Sequence, residues 1–535
     1  MLLTFGGLMA RAFLSPAPEV RLVRRTENSF DLAVATARTC YSGKGIVTPE
    51  EVSGSGQSLE VATLRRSKRD ALAADLYQAG HHTTFQHAYF QFAISNVSRQ
   101  CLWSFLHSHP FYNSEQVSQR YVTVKDGSYA VPPLTGEALT AYRETAERMV
   151  ADYRQLATDL EPLCSRVFYE RFPARRGQPA RWQKEIHKKA QEIARYVLPV
   201  ATFANLYHTV SAVTLFRYRR LCELHDAPSE QRLLVDQMVA EVLRHEPEYQ
   251  TLLEQPIPHQ ETLEARALAS LGNRPPRRDF GAGFDAALGG RVSRLVDWGR
   301  DSEATVAESV REVLGASASE MDDSEALRWI LDPSRNRYLG EALNLDTLSK
   351  LTRCLSHAHY VFRKKLSHTA DSQDQRHRMT PASRPILAAQ IDDDPDVVEP
   401  GLLALDEALR RDFLASWERA WEGMRRARRA GAPVEFVHYL LPNAVAVRFS
   451  ESADLLHLHH KHTMRLCYNA QEEIWRASLE EARQIRDVHP RLGSWLLPPC
   501  TQRALGGQKP PCPEGARYCG VPVWRIDLDR YERTL

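Results

Sequence analysis

Apolar residues recur at three- and four-residue spacing through residues 136–160 and again through 405–429, with glutamate and arginine between them. This period places the apolar side chains on one face of a helix and leaves the charged ones to pair along the other. Residues 88–94 are aromatic-rich with a single polar break, which indicates either a strand or the start of a buried helix. The pattern as a whole predicts a helix-rich α+β protein.

Short stretches of sequence recur in the same order in the two halves of the chain. The matched pairs are Arg21–Arg38 with Arg294–Arg311, Ser118–Arg120 with Asp374–Arg376, and Glu192–Ala201 with Glu435–Ala444. Each match is weak alone, and the middle one is the weakest. Their common order favours a tandem duplication whose second copy has lost loop residues.

Two stretches lack the apolar spacing of a helix or a strand. Gly272–Gly283 is rich in proline, glycine and arginine and is predicted to join the two copies, while Asp392–Gly401 is predicted to be a loop inside the second. The predicted parts of the chain are an N-terminal extension over 1–19, a first copy over 20–272, a second, degenerate copy over 285–485, and a cysteine- and proline-rich segment over 486–535.

Composition narrows the function classes. The 535 residues are 43% hydrophobic and 25% charged, which is typical of a globular protein and excludes a disordered or fibrous one. The chain has 69 Lys+Arg against 67 Asp+Glu, so its formal net charge is only +2. That balance argues against duplex nucleic acid as a partner and leaves room for a local anion site.

Targeting signals are weak. No apolar run approaches the 18 residues or so of a membrane span, so no membrane partner is predicted. Met1–Ala10 is mildly apolar but has no basic residue before its apolar run, and we interpret it as a frayed start or a misplaced initiator rather than a signal peptide. The nine cysteines form no regular framework over most of the chain, which favours a reducing, cytoplasmic location.

Four segments carry polar residues in a distinctive order: Gly80–His87, Asn113–Tyr121, Ala194–Pro199 and Arg465–Ile474. They resemble motifs of the flavin-dependent thymidylate synthases. Those motifs read, in turn, Gly-His-x-Thr-Pro-Phe-Glu-His, the second half of Arg-His-Arg-x-x-Ser-x-Asn-Glu-x-Ser-x-Arg-Tyr, Ala-Arg-x-x-Leu-Pro and Arg-x-x-x-His-Ala-Gln-x-Glu-Ile. The resemblance orders residues 20–255 and, more faintly, 290–485 along the family fold.

The resemblance implies two tandem copies of the thymidylate-synthase-complementing α/β fold that form an internal pseudo-dimer, with two chains joining into a homodimer. It implies a methyltransferase that converts deoxyuridine monophosphate (dUMP) into thymidylate. The implied cofactor is FAD, and the implied partners are dUMP, methylenetetrahydrofolate and NADPH. A flavin carries the hydride chemistry itself, so the protein binds and orients.

The same resemblance assigns roles to individual residues. The implied catalytic residues are Arg120 and Arg465, since a cation near a carbonyl stabilises developing negative charge. The implied nucleotide-binding residues are Ser118, Gln119, Arg120, Arg195, Arg363, Lys364 and Arg465. The implied flavin-binding residues are His81, Thr83, Gln86, His109 and Gln116.

Both copies depart from the family pattern. The signature's Arg-His-Arg falls on Ser108-His109-Pro110 in the first copy, and the basic run Arg363-Lys364-Lys365 is placed at that position in the second. Neither copy keeps a full flavin set. Two alternatives to a thymidylate synthase therefore stay open: a non-catalytic nucleotide-binding or scaffold protein that has lost FAD, and a different reaction on a nucleotide.

One pattern favours retained nucleotide binding. In the family each site is shared between protomers. The first copy keeps Ser118, Arg120 and Arg195, which belong to the set that one protomer contributes to a site. The second copy keeps Arg465 and the 363–365 run, which belong to the set that the neighbouring protomer contributes. We therefore predict one surviving composite anion site whose twin is lost. The simpler alternative is that Arg120 and Arg195 form ordinary salt bridges.

The remaining histidines and cysteines have competing interpretations. His81 and His87 are either neutral core residues or, for His81, a flavin contact, and the histidines of 457–462 favour a solvated or flavin-facing surface over a metal. Cys500, Cys512 and Cys519 lie in a loop-rich segment, where a metal can replace the missing core. With His489 or Cys467 as fourth ligand they predict a zinc or iron–sulfur site, against three free thiols.

Overall fold

The computed structural model of the chain describes residues 12–272, 278–533 and 535. The segment Met1–Ala10, interpreted as a frayed start, lies outside the described residues. So do residues 273–277 of the stretch predicted to join the copies. The rest of that stretch, from Arg278, is helical rather than a loop.

Two four-stranded antiparallel sheets have strand orders β1-β2-β4-β3 and β5-β6-β8-β7. The strands are β1 (Glu19–Arg25), β2 (Tyr89–Ser98), β3 (Asn113–Gln116), β4 (Phe203–Ser211), β5 (Ser293–Trp298), β6 (His359–Ser367), β7 (Ala382–Ser383) and β8 (Ala446–Asp454). The aromatic-rich stretch 88–94 is therefore a strand: its alternate residues Phe90, Phe92 and Ile94 are buried.

Helices make up most of the described regular structure. They are α1 (Ser29–Thr39), α2 (Pro49–Ser53), α3 (Leu59–Gln78), α4 (Arg99–Cys101), α5 (Gly136–Arg171), α6 (Pro179–Ala194), α7 (Ala212–Leu221), α8 (Pro228–Leu243), α9 (Leu263–Ser270), α10 (Arg278–Leu288), α11 (Ser302–Leu314), α12 (Asp323–Leu331), α13 (His368–Asp374), α14 (Leu387–Gln390), α15 (Glu407–Arg429), α16 (Val434–Val437), α17 (Leu455–Arg465), α18 (Glu472–Val488), α19 (Pro490–Gly493) and α20 (Pro499–Leu505). The prediction of a helix-rich α+β fold is confirmed.

The two copies repeat element by element. Strands β1 and β5 each have a register shift against their neighbour, after Leu22 in one and Leu295 in the other. Ser98 and Ser367, at the ends of β2 and β6, each cap the helix that follows. Helices α7 and α17 begin in the same way after β4 and β8.

The middle sequence match is wrong. Ser118–Arg120 follow β3, whereas Asp374–Arg376 precede β7, the strand that takes the place of β3 beside β8. Asp374–Arg376 begin seven residues after the capping residue Ser367. The residues at the same distance from Ser98 in the first copy are 105–107, which lie before β3.

The chain forms two compact units. Unit 1 consists of the described parts of Met1–Ala151, Leu198–Arg274 and Arg419–Leu441, and unit 2 of Asp152–Val197, Pro275–Glu418 and Pro442–Leu535. Each unit therefore contains one sheet and a segment from the opposite half of the sequence.

Each unit has its own hydrophobic core. That of unit 1 packs α1, α7 and α8 on its sheet around Phe30, Phe90 and Tyr249. That of unit 2 packs α11, α12, α17 and α18 around Tyr360 and Phe362, and the C-terminal segment joins it through Val521 and Tyr531. None of the described helices is long and apolar enough to cross a membrane.

Candidate functional site

Arg195 lies in a buried polar network of unit 2, although it belongs to the first half of the sequence. Its guanidinium donates to Gln471 Oε1 at 2.7 Å, and only 4% of the residue is exposed. Gln373, in the last turn of α13, donates to the same oxygen, so Gln471 joins Arg195 to that helix. Arg195 of the Ala-Arg-x-x-Leu-Pro segment and Gln471 of the Ala-Gln-x-Glu-Ile segment thus meet inside one unit.

Tyr196 and Glu473 form a hydrogen-bonded pair that also contacts Gln471 of this network. Tyr196 OH donates to Glu473 Oε2 at 2.6 Å and accepts from Gln471 Nε2 at 2.6 Å. Glu473 also accepts from the backbone N–H and hydroxyl of Ser367, the cap of α13. Burial, followed by the nearby Glu473 carboxyl, raises the pKa of Tyr196 well above its usual value, so its hydroxyl remains a donor.

Arg465, the last residue of α17, joins the network from the other side. Its Nη2 donates to the carbonyl of Gln373 at 3.0 Å, and its Nε donates to His377 Nε2 at 2.7 Å. Burial, and then the charges of Arg465 and Lys461, lower the pKa of His377 well below its usual value. His377 is therefore neutral and can accept this bond, and Arg195 and Arg465 are connected through Gln373 and Gln471.

The basic signature of the second copy is Arg376-His377-Arg378, and its placement at Arg363–Lys365 is wrong. Those residues lie within strand β6, where side chains alternate between faces, so Arg363 is exposed and Lys364 is completely buried. Lys365 pairs with Asp285 at 2.6 Å. The sequence did offer the signal, because residues 376–378 spell Arg-His-Arg literally.

Unit 1 has a tyrosine–glutamate pair like that of Tyr196 and Glu473 in unit 2. Tyr439 OH donates to Glu230 Oε2 at 2.6 Å, and Glu230 also accepts from the backbone and hydroxyl of Ser98. These three residues correspond to Tyr196, Glu473 and Ser367 of unit 2 at the offsets of the repeat.

Unit 1 has none of the corresponding guanidinium groups, however. The unit 2 residues Arg195, Gln471 and Arg465 are matched by His438, Pro228 and Cys222. The run 376–378 is matched by Ser108-His109-Pro110, because Ala382 and Ser114, which follow the two runs at the same distance, pair with corresponding residues of β8 and β4. Two of these have bonds or surroundings unsuited to an anion. His109 Nε2 lies 2.9 Å from the hydroxyl of Tyr218, and burial raises the pKa of Cys222 to about 12.

The motif Ser118-Gln119-Arg120 lies in unit 1, after β3. Ser118 Oγ accepts from the backbone N–H of Arg120 at 3.2 Å, and buried Gln119 donates to Thr202 Oγ1 at 2.9 Å. The guanidinium of Arg120 lies over the ring of Tyr121, 5.5 Å from its centre. The predicted nucleotide contacts of these residues stay predictions.

Comparison with known proteins identifies the family. The profile of the family described as "Thymidylate synthase complementing protein" matches residues 21–248 and again 294–491, more than half of the chain. The chain belongs to this family. Its two matches confirm the predicted tandem duplication.

Curated relatives named flavin-dependent thymidylate synthase cover about one copy each. The protein of Clostridium tetani is 29% identical over 232 residues, which are 43% of this chain and 84% of the relative. That of Geobacter sulfurreducens is 30% identical over 170 residues, 31% of this chain and 70% of the relative. That of Nitratidesulfovibrio vulgaris is 27% identical over 203 residues, 38% and 72% of the two chains.

The flavin contacts that family resemblance implies lie in unit 1. His81, Thr83 and Gln86 are exposed around the turn before β2, and Gln116 ends β3. His109 packs edge-on against Tyr218 with ring centres 5.3 Å apart. No arginine stands at the first-copy positions of Arg-His-Arg, Ser108-His109-Pro110. The flavin roles of the five residues stay predictions.

The histidines at the start of α17 are held by protein contacts. His457 Nδ1 lies 2.8 Å from Asp454, and His462 Nε2 lies 3.0 Å from Glu481. His459 is buried, which lowers its pKa to about 4. The predicted preference for a solvated or flavin-facing surface is wrong for His459 and His462, because both are buried.

The metal prediction finds no support. Over residues 12–272, 278–533 and 535, no group of three or more histidine, cysteine, aspartate or glutamate side chains could hold a metal ion. Both ring nitrogens of His489 are engaged, Nδ1 with Tyr360 OH at 2.8 Å and Nε2 with the carbonyl of Arg300 at 3.3 Å. Of the two residues predicted as a fourth ligand, Cys467 is the one that interacts with the other cysteines. Burial, followed by the nearby Cys467, Cys512 and Cys519, raises the pKa of Cys500 to about 12.

Proposed function

We propose that unit 2 binds the phosphate-bearing part of a pyrimidine deoxynucleotide such as dUMP, and that the chain acts as a flavin-dependent thymidylate synthase. The single observation that supports this is the hydrogen-bonded path from Arg195 through Gln471 and Gln373 to Arg465. It brings together, from opposite halves of the sequence, two arginines for which family resemblance implies nucleotide binding.

The physical basis is a pre-positioned set of cations. A guanidinium presents its N–H groups in a fixed fork that meets phosphate oxygens with charge-assisted hydrogen bonds. Gln471 and the Gln373 carbonyl each restrain one guanidinium, so little side-chain freedom is lost on binding. Arg376 and Arg378 lie on either side of His377, the neighbour of Arg465, and add charge beside it.

In the proposed reaction Arg465 is the catalytic residue of unit 2. Its positive charge would stabilise negative charge that develops on a uracil carbonyl while the one-carbon unit of methylenetetrahydrofolate is attached. Neutral His377 fixes the orientation of this guanidinium through the bond to Nε. Arg120 is the second catalytic residue that the family resemblance implies.

FAD is the proposed cofactor, with NADPH as the reductant. When bound, the flavin supplies the hydride that reduces the transferred carbon to a methyl group. The cationic donors of unit 2 fit its anionic diphosphate, and we propose Arg376 and Arg378 for that contact. In unit 1 the same positions are Ser108 and Pro110, which do not fit it.

The second candidate function is nucleotide binding without FAD. The observation that favours it is the loss of guanidinium groups from the unit 1 counterparts, which leaves His438 and Cys222 where unit 2 has Arg195 and Arg465. A chain with half of its sites lost could retain binding as its only role. Colour separates the two candidates, because bound flavin absorbs visible light.

Titration of purified full-length chain with dUMP by calorimetry tests the proposal. Arg195→Met and Arg465→Met should each weaken dUMP binding at least about tenfold, since each removes one charge-assisted contact worth roughly 1.4 kcal/mol or more. The matched controls are the unit 1 counterparts, His438→Ala and Cys222→Ala, which should leave the affinity within about twofold.

Equal affinity in all four variants, or no binding by the unaltered chain, would overturn the nucleotide site. A yellow protein that converts dUMP to thymidylate supports the synthase. A colourless protein that binds dUMP supports the second candidate.

A further inference from the structure

Five charged side chains from five elements form a cluster in the interior of unit 2. They are Lys364 of β6, Asp374 of α13, Glu451 of β8, Lys461 of α17 and Glu481 of α18, and each is at most 2% exposed. Lys364 Nζ lies 3.3 Å from Asp374, 2.8 Å from Glu451 and 2.7 Å from Glu481. Lys461 Nζ lies 2.8 Å from Asp374 and 2.5 Å from Glu451.

A cluster of this kind is a poor way to gain stability. Removing ions from water costs several kcal/mol each, and buried ion pairs can often be replaced by apolar residues without loss. Three carboxyls face two ammonium groups, and Glu451 Oε2 is buried without a hydrogen-bond partner among the residues that the structure describes. The cluster therefore calls for an explanation other than folding energy.

The position of the cluster supplies that explanation. Lys461 precedes Arg465 by one turn of α17, and Asp374, the last residue of α13, precedes Arg376 by two residues. The Lys461–Asp374 ion pair thus joins the end of α13 to α17, one turn of helix before Arg465 and two residues before Arg376. The backbone continues the link, because His377 N–H donates to the carbonyl of Asp374 at 3.0 Å.

The first copy provides an internal comparison. Lys364, Glu451, Lys461 and Glu481 correspond to Ile94, His208, Tyr218 and Met238, and the ring of Phe105 packs on Tyr218 at 5.0 Å where Asp374 meets Lys461. That copy has Ser-His-Pro at 108–110 in place of Arg-His-Arg. The charged cluster occurs in the copy that keeps the arginines, and an apolar and aromatic one fills the same place in the copy that lost them.

We propose that Lys461 and Asp374 are positioning residues, whose ion pair sets the distance between Arg465 and the Arg376–Arg378 segment for nucleotide binding. Both side chains are engaged in ion pairs inside the cluster, so their proposed role is to position the arginines rather than to contact the ligand. The remaining cluster residues, Lys364, Glu451 and Glu481, pair with these two or with one another. The inference rests on the proposed function for its ligand, and on the structure alone for the restraint of the segment.

Asp374→Asn tests the inference, because it removes the charge while keeping the shape. Two quantities are measured on the full chain: the dUMP affinity by calorimetry, and hydrogen–deuterium exchange of the backbone over 375–380. We expect faster exchange in this segment and at least about tenfold weaker binding. Lys461→Met should behave in the same way, and Lys461→Arg should recover most of the affinity.

Glu481→Gln is the matched control. Glu481 is as buried and as tightly paired as Asp374, but it lies on α18, which carries neither basic group. A similar loss of melting temperature with unchanged affinity and unchanged exchange over 375–380 is expected for it. If Asp374→Asn also leaves both quantities unchanged, the cluster is purely structural and the inference is overturned.

A second variant covers failure to fold. The pair Lys461→Met with Asp374→Leu removes one cation and one anion, so the charge balance of the cluster is kept. It should fold and still bind dUMP at least about tenfold more weakly; affinity equal to that of the unaltered chain overturns the inference. If the unaltered chain does not bind dUMP while exchange over 375–380 still responds to Asp374→Asn, the proposed function fails and the restraint stands.

Discussion

Single hydroxyl groups hold the framework of both units. Tyr196 and Tyr439 occupy corresponding positions and donate to corresponding glutamates, Glu473 and Glu230, each at 2.6 Å. Only Tyr196 also accepts from a glutamine, Gln471, which in turn restrains Arg195. The same residue type is therefore structural in one unit and linked to the candidate site in the other.

Replacing each tyrosine with phenylalanine separates these roles. Tyr196→Phe and Tyr439→Phe should each lower the free energy of unfolding by about 1–3 kcal/mol, because a buried carboxyl loses a hydrogen bond. Only Tyr196→Phe should also weaken dUMP binding, since it frees the Gln471 amide. Denaturant unfolding and calorimetry measure the two effects, and a loss of affinity in Tyr439→Phe would contradict the prediction.

At the scale of elements, close helix contacts depend on glycine. Gly423 lies within α15, and a Cβ at this position would come within 2.8 Å of three side-chain atoms of Thr145 on α5. Both residues belong to unit 1. The contact requires a residue without a side chain and is fixed by packing rather than by helix propensity.

Gly423→Ala should therefore destabilise the protein despite alanine's better helix propensity. Overpacking of this kind costs about 1–3 kcal/mol, which exceeds the gain of up to about 1 kcal/mol from propensity. Thermal unfolding measures the change. Gly283→Ala is the control, since Gly283 lies in α10 with nothing within 4 Å of its Cβ position, and it should be neutral or stabilising.

The prediction for Gly423 also has an internal rescue. Thr145→Ala removes the atoms that the new methyl group would meet, so the double variant should regain most of the lost stability. A Gly423→Ala protein as stable as the unaltered chain would show that α5 and α15 do not pack as closely as described.

For the molecule as a whole, buried carboxyls couple folding to pH. Burial, and then the neighbouring Asp374, raise the pKa of Glu451 to about 7 although two lysines oppose the shift. Lys364 and Lys461 lower the pKa of Asp374 and of Glu481 despite burial, so these two stay ionised at neutral pH. A carboxyl with a raised pKa stabilises the folded state at low pH and loses that contribution as pH rises through the folded pKa.

Glu451→Gln should consequently change the pH dependence of stability. Between about pH 5 and pH 8 the unaltered protein should lose unfolding free energy relative to Glu451→Gln, by on the order of 2 kcal/mol. Other groups that titrate in this range are common to both proteins, so the difference isolates Glu451. Parallel stability curves across this range would contradict the assigned protonation of Glu451.

Sequence periodicity predicted the long elements well. Residues 136–160 lie in helix α5, and helix α15 covers 407–429 of the predicted 405–429. Of the predicted loop Asp392–Gly401, residues 392–400 lie outside the helices and named strands, and a 3-10 helix begins at Gly401. The first and third repeat matches, which begin at Arg21 and Glu192, each join segments that occupy the same place in the two copies. Local patterns succeed here because one amphipathic face is enough to specify a long helix.

The same reasoning failed where burial decided the role. The family resemblance implies that Lys364 binds the nucleotide, yet strand alternation turns its side chain into the interior beside Glu451 and Glu481. The weak repeat match sets Arg376 against Arg120, but Arg120 follows β3 whereas Arg376 precedes β7. Only the shared strand order of the two sheets fixes that alignment.

The sequence by itself determined the family, the duplication and the helix-rich class, because motifs and periodicity are local and survive divergence. The tertiary structure decided which charges meet: Arg195 with Gln471, Arg465 with His377, and Lys461 with Asp374. These partners lie far apart in sequence or on different elements, and their pairing follows from how strands and helices pack. Electrostatic contacts depend on distance in space, which no one-dimensional pattern contains.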